Sequence, residues 1–305
     1  MIEILANLIF ASILSNFTAN QPNINQIFAQ EYLVPNNISR KVPRKKSDAT
    51  LGVKVSAQSV AAADSQGISL LYEKNSKQVR SIASLTKLMT ALVFLDHNPG
   101  MDKEIVIEKS DHRDGNRPYF YEGEKVKVKD VFNVMLVASA NEAAAALARS
   151  TGMNNDEFVR QMNQKAKELT MTDTIFADET GLNNGNKSTA QDILKLAKEA
   201  FSHDEISHTV GQKNYFYTVL NSNTKRNIAA TDKILGDDFG YGNDIYKIIA
   251  GKTGYLELAG YCFASKVTNK DGHDAYIVVL GSASPDSRFS DTKSIAYWIF
   301  NNYIW

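Results

Sequence analysis

Residues 81–95, Ser-Ile-Ala-Ser-Leu-Thr-Lys-Leu-Met-Thr-Ala-Leu-Val-Phe-Leu, decide how the rest of this chain is read. Leu85, Leu88, Met89 and Leu92 recur at the i, i+3, i+4, i+7 spacing, and Ala91, Val93 and Leu95 leave little of the circumference polar. The spacing therefore predicts a buried helix. Ser84 and Lys87 stand one turn apart near its start and share one face. A lysine in such apolar surroundings is costly to keep without a task. Alone, the pair says little, because most Ser-x-x-Lys occurrences are a surface serine beside a solvated lysine. Two later stretches change that weighting.

Toward the N-terminus, residues 4–17 are apolar but shorter than the ~20 residues of a membrane-spanning helix. Their length suits the apolar part of an export signal, although Met1-Ile2-Glu3 carries no basic residue and no clear cleavage site follows. The alternative is an amphipathic N-terminal helix or anchor associated with a membrane. Residues 18–50 are rich in Asn and Gln and end in Arg40-Lys41-Val42-Pro43-Arg44-Lys45-Lys46, which reads as a solvated linker. We therefore divide the chain into an N-terminal segment, 1–50, and a catalytic domain, 51–305.

From Val53 the pattern becomes strand-like, with runs at Val53–Val60 and Ile68–Tyr72 about a turn at Asp64-Ser65-Gln66-Gly67. Beyond the helix, Val131, Val134, Met135 and Ala138 mark a second helix with Asp130 as its expected N-cap. It stops at Ser139-Ala140-Asn141, before an alanine-rich helix from Glu142 to Arg149. Asp156–Leu169 is amphipathic. A loop from Ala177 to Lys187 closes with Ser188-Thr189-Ala190-Gln191, read as a capping box that starts a helix at Asp192. The C-terminal part returns to strands: Ile248–Gly251 running into Lys252-Thr253-Gly254-Tyr255, then Tyr261–Val267 and Ala275–Leu280, with a last helix over Phe289–Phe300. Strands at both ends of the sequence with helices between predict an α+β fold. Terminal helices would flank its antiparallel sheet, and a helical subdomain would stand apart with the active site between the two.

With 305 residues, 43% of them hydrophobic, the chain can bury a large core. Lys plus Arg and Asp plus Glu both total 34, so net charge gives no case for a nucleic-acid partner. The single cysteine, Cys262, lies in an apolar run and reads as a buried inert thiol. Five histidines without ligand spacing give no metal site, and no cofactor is expected.

Ser84-Leu85-Thr86-Lys87, Ser139-Ala140-Asn141 and Lys252-Thr253-Gly254 now stand in order on a helix start, an inter-helix connection and a strand. Ser-x-x-Lys, Ser-Asp-Asn and Lys-Thr-Gly in this order are a recognised signature of class A β-lactamases and penicillin-binding proteins, and the three stretches resemble it. The chain further resembles the serine-type D-alanyl-D-alanine carboxypeptidases and endopeptidases of peptidase family S11, the low-molecular-mass penicillin-binding proteins, over roughly residues 55–302. The resemblance rests on Ile82–Thr90, Ser139–Ala144, Thr180-Gly181-Leu182, Ser188-Thr189-Ala190 and Gly251–Tyr255. Thr180, where many carboxypeptidases have His, looks more like the endopeptidase branch.

The resemblance implies a β-lactamase/transpeptidase-like fold and a hydrolase acting on peptidoglycan stem peptides outside the bacterial cytoplasm, with β-lactams as ligands. It implies that Ser84 is the nucleophile, Lys87 its base and Ser139 a proton relay between Lys87 and the leaving group. Asn141, Lys252, Thr253 and Tyr255 would bind substrate, and Gly254 would let an extended substrate pair closely with the strand edge. The backbone N–H groups of Ser84 and Tyr255 would form the oxyanion hole. Serine needs a base within reach, and lysine, with a reference pKa of about 10.4, serves only when neutral. Burial and a charged Lys252 nearby are expected to keep it so. Two other readings remain open. One is a class A-like β-lactamase using Glu179 of Glu179-Thr180-Gly181-Leu182-Asn183 to activate water, against an exposed Glu without a role. The other is a non-catalytic wall-binding protein.

Overall fold

The run Ser59–Asp64, Ser-Val-Ala-Ala-Ala-Asp, is buried at every position, as a strand covered on both faces requires. It is an interior strand of the main sheet of the computed structural model, which describes residues 42–65, 69–115, 118–242 and 244–305. In chain order the sheet strands are β1 (Ser59–Asp64), β2 (Leu70–Lys74), β3 (Asp238–Tyr241), β4 (Asp244–Leu256), β5 (Gly260–Asn269) and β6 (Asp274–Ser282). They are arranged β3-β4-β5-β6-β1-β2, and every neighbouring pair is antiparallel. The helices are α1 (Thr86–Asp96), α2 (Val128–Val137), α3 (Asn141–Ser150), α4 (Asn155–Glu168), α5 (Ala190–Ala200), α6 (Asp204–Val210) and α7 (Ser287–Asn302).

Side chains alternate along the strands and divide the core in two. Val60, Ala62, Ile277 and Val279 pack with Phe289, Ile295 and Ile299 of α7. Ala61, Ala63, Val278 and Leu280 belong instead to the larger core shared with the helical block. The architecture is the α+β arrangement expected. Among the described residues α7 packs on one face of the sheet, and α5 and the short 3₁₀ turn Ala83–Leu85 cover the other. Residues 4–17, the rest of the linker to Lys41, and Gln66–Ile68 of the first hairpin lie outside the described residues. Helix α1 touches α2, α3, α4 and α5, and its residues Thr86–Phe94 are all buried, so the first helix is the hub of the helical block.

Four local expectations change. Val53–Gln58 alternates in burial as a strand would, but the first strand starts at Ser59. Asp291 of α7 takes the place of a neighbouring strand, accepting from the backbone N–H of Ser56 (2.8 Å) and Ala57 (2.8 Å). Arg44–Lys45, placed in the linker by composition, pairs antiparallel with Tyr303–Ile304, a partner too distant in sequence for local reading to find. The N-cap of α2 is Lys127; Asp130 sits inside the first turn and accepts from the Tyr215 hydroxyl at 2.7 Å. Helix α5 begins two residues early, capped by Thr189, whose hydroxyl accepts from the Asp192 N–H at 3.1 Å. Ser188 lies before it, its hydroxyl 2.6 Å from that of Thr174.

Two features press the site elements together. Gly181, at φ +90°, passes so close under the Ser84 turn that a Cβ there would lie 2.2 Å from the Ala83 carbonyl oxygen. Gly254 of β4 approaches from another side, where a Cβ would lie 3.1 Å from Ile82 O and 3.2 Å from Ser84 N. Its missing side chain thus makes room for the Ser84 turn. Behind β4, Asp232 occupies the space a side chain at Gly251 would need, its Oδ2 2.3 Å from that Cβ position. Its Oδ1 accepts from Ile234 N at 3.0 Å, while Oδ2 is buried without a partner.

We expect Gly181→Ala to lower stability by roughly 2–4 kcal/mol, since both φ and the carbonyl contact oppose it. Gly100→Ala, also at positive φ (+115°) but with nothing within 4 Å, should cost only about 1 kcal/mol. Urea unfolding of the two variants makes the comparison, and equal losses would show that the contact with Ala83 is unimportant. Burial pushes the Asp232 carboxyl up to about 6. The folded chain therefore holds this proton longer than the unfolded one, and stability falls as pH rises from about 4 to 6, by roughly 3 kcal/mol. Asp232→Asn removes this term, so its unfolding midpoint should rise relative to the parent between pH 4 and pH 7.

Candidate active site

Ser84 lies in the 3₁₀ turn Ala83–Leu85 that leads into α1, between two fully buried neighbours. Ala83 holds φ +48°, a conformation costly for a residue with a Cβ. Thr86 and Gly181 enforce it: the Thr86 hydroxyl donates to Ala83 O at 2.8 Å, and Gly181 fills the space beneath. The turn leaves Ser84 partly exposed and puts Lys87 beneath it, with no exposed surface.

The Lys87 amine makes three contacts. It reaches Ser84 Oγ at 3.1 Å, Asn141 Oδ1 at 2.7 Å and the Thr180 carbonyl oxygen at 2.6 Å. The last two are pure acceptors and must each take an N–H. A neutral amine has only two, so its lone pair is left for the third direction, toward Ser84 Oγ. Burial pushes the Lys87 pKa down to about 7, against the opposing pull of Asp178, Glu179 and Glu142. The arrangement can therefore accept the Ser84 proton near neutral pH.

Ser139 follows the end of α2 at φ +60°, and Asn141 is the first residue of α3 rather than part of the connecting loop. The hydrogen bond recorded for Ser139 Oγ comes from Lys252, at 2.8 Å, not from Lys87. Lys252 also donates to Thr253 O at 2.9 Å, and the Thr253 hydroxyl donates to Thr231 at 2.6 Å. Lys252 is as buried as Lys87. Burial, together with the charges of Lys87 and Arg288 and with no carboxylate opposing them, pushes its pKa well below the usual lysine value. A charge on Lys252, expected from the sequence, is therefore opposed by burial and by the neighbouring cations. Tyr255, half-exposed at the end of the motif, stacks on Tyr261 with ring centroids 4.4 Å apart.

Two residues behave differently from the readings weighed above. Glu179 is buried, 1% exposed, and its carboxylate is bound by Arg113 Nη2 (2.9 Å) and Nε (3.2 Å). It is neither a surface residue nor a carboxylate free to activate water. The Thr180 hydroxyl is turned inward, donating to Asp178 at 3.1 Å and accepting from Leu182 N at 3.0 Å, so Thr180 meets the site through its carbonyl. Cys262 is buried in β5, and burial pushes its thiol up to about 11.

Sequence reasoning missed several groups that complete the site. Glu142 accepts from Tyr119 N at 2.6 Å and Phe120 N at 3.2 Å. Thr231 ties the site together, its N–H donating to Val137 O at 3.1 Å just before Ser139 while its hydroxyl takes the Thr253 proton. Glu142 lies within the Ser139–Ala144 stretch, which does not announce this role, and Thr231 has no local motif. The Asp178-x-Thr180-Gly181 run does carry a signal, that of an Asx turn, which went unread.

Comparison with known proteins agrees with this geometry. A sequence profile of the D-alanyl-D-alanine carboxypeptidases, peptidase family S11, matches residues 44–284. The chain is 32% identical to a D-alanyl-D-alanine endopeptidase of Haemophilus influenzae over 78% of this chain and 80% of that one. It is 30% identical to the D-alanyl-D-alanine carboxypeptidase DacF of Bacillus subtilis over 77% of this chain and 59% of that longer protein. Among solved structures, it superposes on the Streptomyces K15 DD-transpeptidase with a TM-score of 0.74 at 26% identity, covering 83% of this chain and all of that one. Penicillin-binding protein D2 of Listeria monocytogenes in its cefotaxime-bound form gives a TM-score of 0.69 at 28% identity, covering 82% and 100%. The profile spans the Ser84, Ser139 and Lys252 motifs, and the chain belongs to peptidase family S11, the D-alanyl-D-alanine carboxypeptidase family.

Proposed function

We propose that the chain is a serine-type DD-peptidase that hydrolyses D-Ala-containing stem peptides of peptidoglycan through an acyl-enzyme and is acylated by penicillins. The observation that carries this reading is the coordination of Lys87: buried, bound to two pure acceptors, with its third direction toward Ser84 Oγ. Catalysis is assigned to residues 51–305, with residues 1–50 as an export or anchoring segment that places the domain outside the bacterial cytoplasm. Among the described residues no helix is long and apolar enough to cross a membrane.

In the proposed mechanism Ser84 Oγ attacks the carbonyl carbon of the penultimate D-Ala and passes its proton to the lone pair of Lys87. The oxyanion is held by the N–H groups of Ser84 and Tyr255, donors aimed at charge that appears only in the transition state. The C–N bond breaks as the leaving amine takes that proton from Lys87, relayed through Ser139, which leaves Lys87 neutral again. Water then attacks the ester carbonyl and gives a proton to Lys87, Lys87 returns it to Ser84 Oγ as the ester C–O bond breaks, and the peptide leaves as a carboxylate. A β-lactam follows the same first step, but its cleaved amine remains tethered, so the ester persists. Lys252 is the group placed to meet a substrate or drug carboxylate, which would supply the negative partner it lacks. The Arg113 pairing of Glu179 favours this reading over a β-lactamase, because the carboxylate that would activate a deacylating water is already occupied.

Acylation, pH dependence and digestion test the proposal. Mass spectrometry with benzylpenicillin should show a long-lived adduct that Ser84→Ala abolishes; free turnover of the drug would favour the lactamase, and the absence of any adduct a non-catalytic protein. Lys87→Arg keeps the charge but cannot release its proton near neutral pH. Its acylation rate should fall by roughly two to four orders of magnitude. In the parent that rate should climb with pH through about 7, as Lys87 loses its proton. Lys252→Arg should mainly weaken binding and retain measurable acylation. If Lys87→Arg acylates at the parent rate while Lys252→Arg is inert, the two lysines exchange roles. Digestion of monomeric and cross-linked dimeric muropeptides, separated by mass, assigns the bond cleaved as a terminal D-Ala or a cross-link.

A further inference from the structure

Asp178 touches neither Ser84 nor Lys87 through any hydrogen bond, yet its carboxylate collects five donors. Oδ1 accepts from Thr180 N at 3.1 Å, Gly181 N at 2.6 Å and Asn186 Nδ2 at 2.5 Å. Oδ2 accepts from the Thr180 hydroxyl at 3.1 Å and Asn183 N at 2.8 Å. Two carboxylate oxygens offer about four lone-pair sites, so this group is saturated by one short loop. Asn186, fully buried, closes the loop from the other end: its Oδ1 accepts from Ala177 N and Asp178 N, at 2.6 and 3.2 Å. The Asn186 carbonyl in turn receives Ile82 N at 3.3 Å, next to the Ser84 turn. The product of this wiring is one carbonyl, Thr180 O, 2.6 Å from the Lys87 amine.

We propose that Asp178 is a positioning residue for the Ser84–Lys87 pair: its carboxylate folds the Thr180–Gly181 turn so that the Thr180 carbonyl occupies one amine direction, and its charge acts on Lys87 from the same loop. The inference rests on Lys87 being the base. Without the turn the amine is free to rotate, and its lone pair is no longer reserved for Ser84 Oγ. The charged groups facing Lys87 are few. The loop supplies Asp178 and Glu179, α3 supplies Glu142 and β4 supplies Lys252. Glu179 is paired with Arg113, and Glu142 accepts two backbone N–H groups. Of the three carboxylates Asp178 exerts the largest upward pull on the Lys87 pKa. Removing the charge therefore favours the neutral amine and moves the acid limb of the reaction to lower pH. A purely structural residue would lower the rate at every pH and leave the limb where it was.

The experiment is the second-order rate of benzylpenicillin acylation from pH 5 to 10 for the parent, Asp178→Asn and Asp178→Glu, each checked for folding by circular dichroism. Asp178→Asn should lower the alkaline plateau at least tenfold and shift the limb down by half a pH unit or more. A limb within about 0.2 unit of the parent overturns the proposal, whatever the plateau does. Asp178→Glu retains the charge but misplaces the oxygens by one methylene; it should also lower the plateau at least tenfold, with the limb unmoved. A plateau within twofold of the parent overturns the positioning role, and this arm stands even if Asp178→Asn does not fold. Lys87→Arg runs alongside, and a parent-like rate there removes the base assignment on which the proposal rests, separately from any result at Asp178.

Discussion

Everything in the cleft follows from one lysine having been taken out of water. Moving the Lys87 pKa from 10.5 to about 7 means that the folded state disfavours the charged form by about 5 kcal/mol. The sign is definite. At pH 7 and below, the unfolded chain carries this charge freely and the folded one does not, so the burial costs stability, and the cost fades as pH rises from about 7 to 10.5. The pull of three carboxylates keeps the shift from being larger. A base titrating near neutrality is thus a balance between desolvation and the anions of the Asp178–Glu179 loop and α3.

The fold that bears this cost is built around the helix carrying the lysine. Helix α1 is buried over Thr86–Phe94 and touches four other helices, so its position is fixed by the core rather than by its polar residues. The two hydroxyls of the site then sit on strained backbone, with Ser139 at φ +60° and Ala83, immediately before Ser84, at φ +48°. Such positions cost about 1–3 kcal/mol each and persist only where the surroundings dictate them. At Ala83 those surroundings are Gly181 beneath the Ser84 turn and Gly254 beside it.

How much of this could be read from the residues depends on the range of the forces involved. Helix α1 was legible because its apolar positions repeat at short spacing, and Lys252-Thr253-Gly254 because β4 and its neighbours are long, adjacent hairpins. The segment Val53–Gln58 shows where pattern stops short: it reads as strand-like and alternates in burial, but whether an extended segment is a strand depends on its partner, here a side chain from α7. Arg44–Lys45 failed for the same reason. At the site, the motifs identified Ser84, Lys87, Ser139 and Lys252, whereas their wiring was not legible. Nothing local says that Ser139 is bound by Lys252, or that Thr231 bridges the end of α2 to Thr253.

That wiring alters the meaning of the second lysine. Lys252 has three neutral or cationic influences around it, burial, Lys87 and Arg288, and no anion, while Lys87 has carboxylates on its side. Burial opposes a charge on either amine. A carboxylate arriving at Lys252 favours charge there, and that charge in a dry cleft disfavours a proton on Lys87. On the proposed function, binding an anionic ligand and readying the base are then one electrostatic event. This also explains why the cleft keeps two buried lysines when a single neutral one would suffice to deprotonate Ser84.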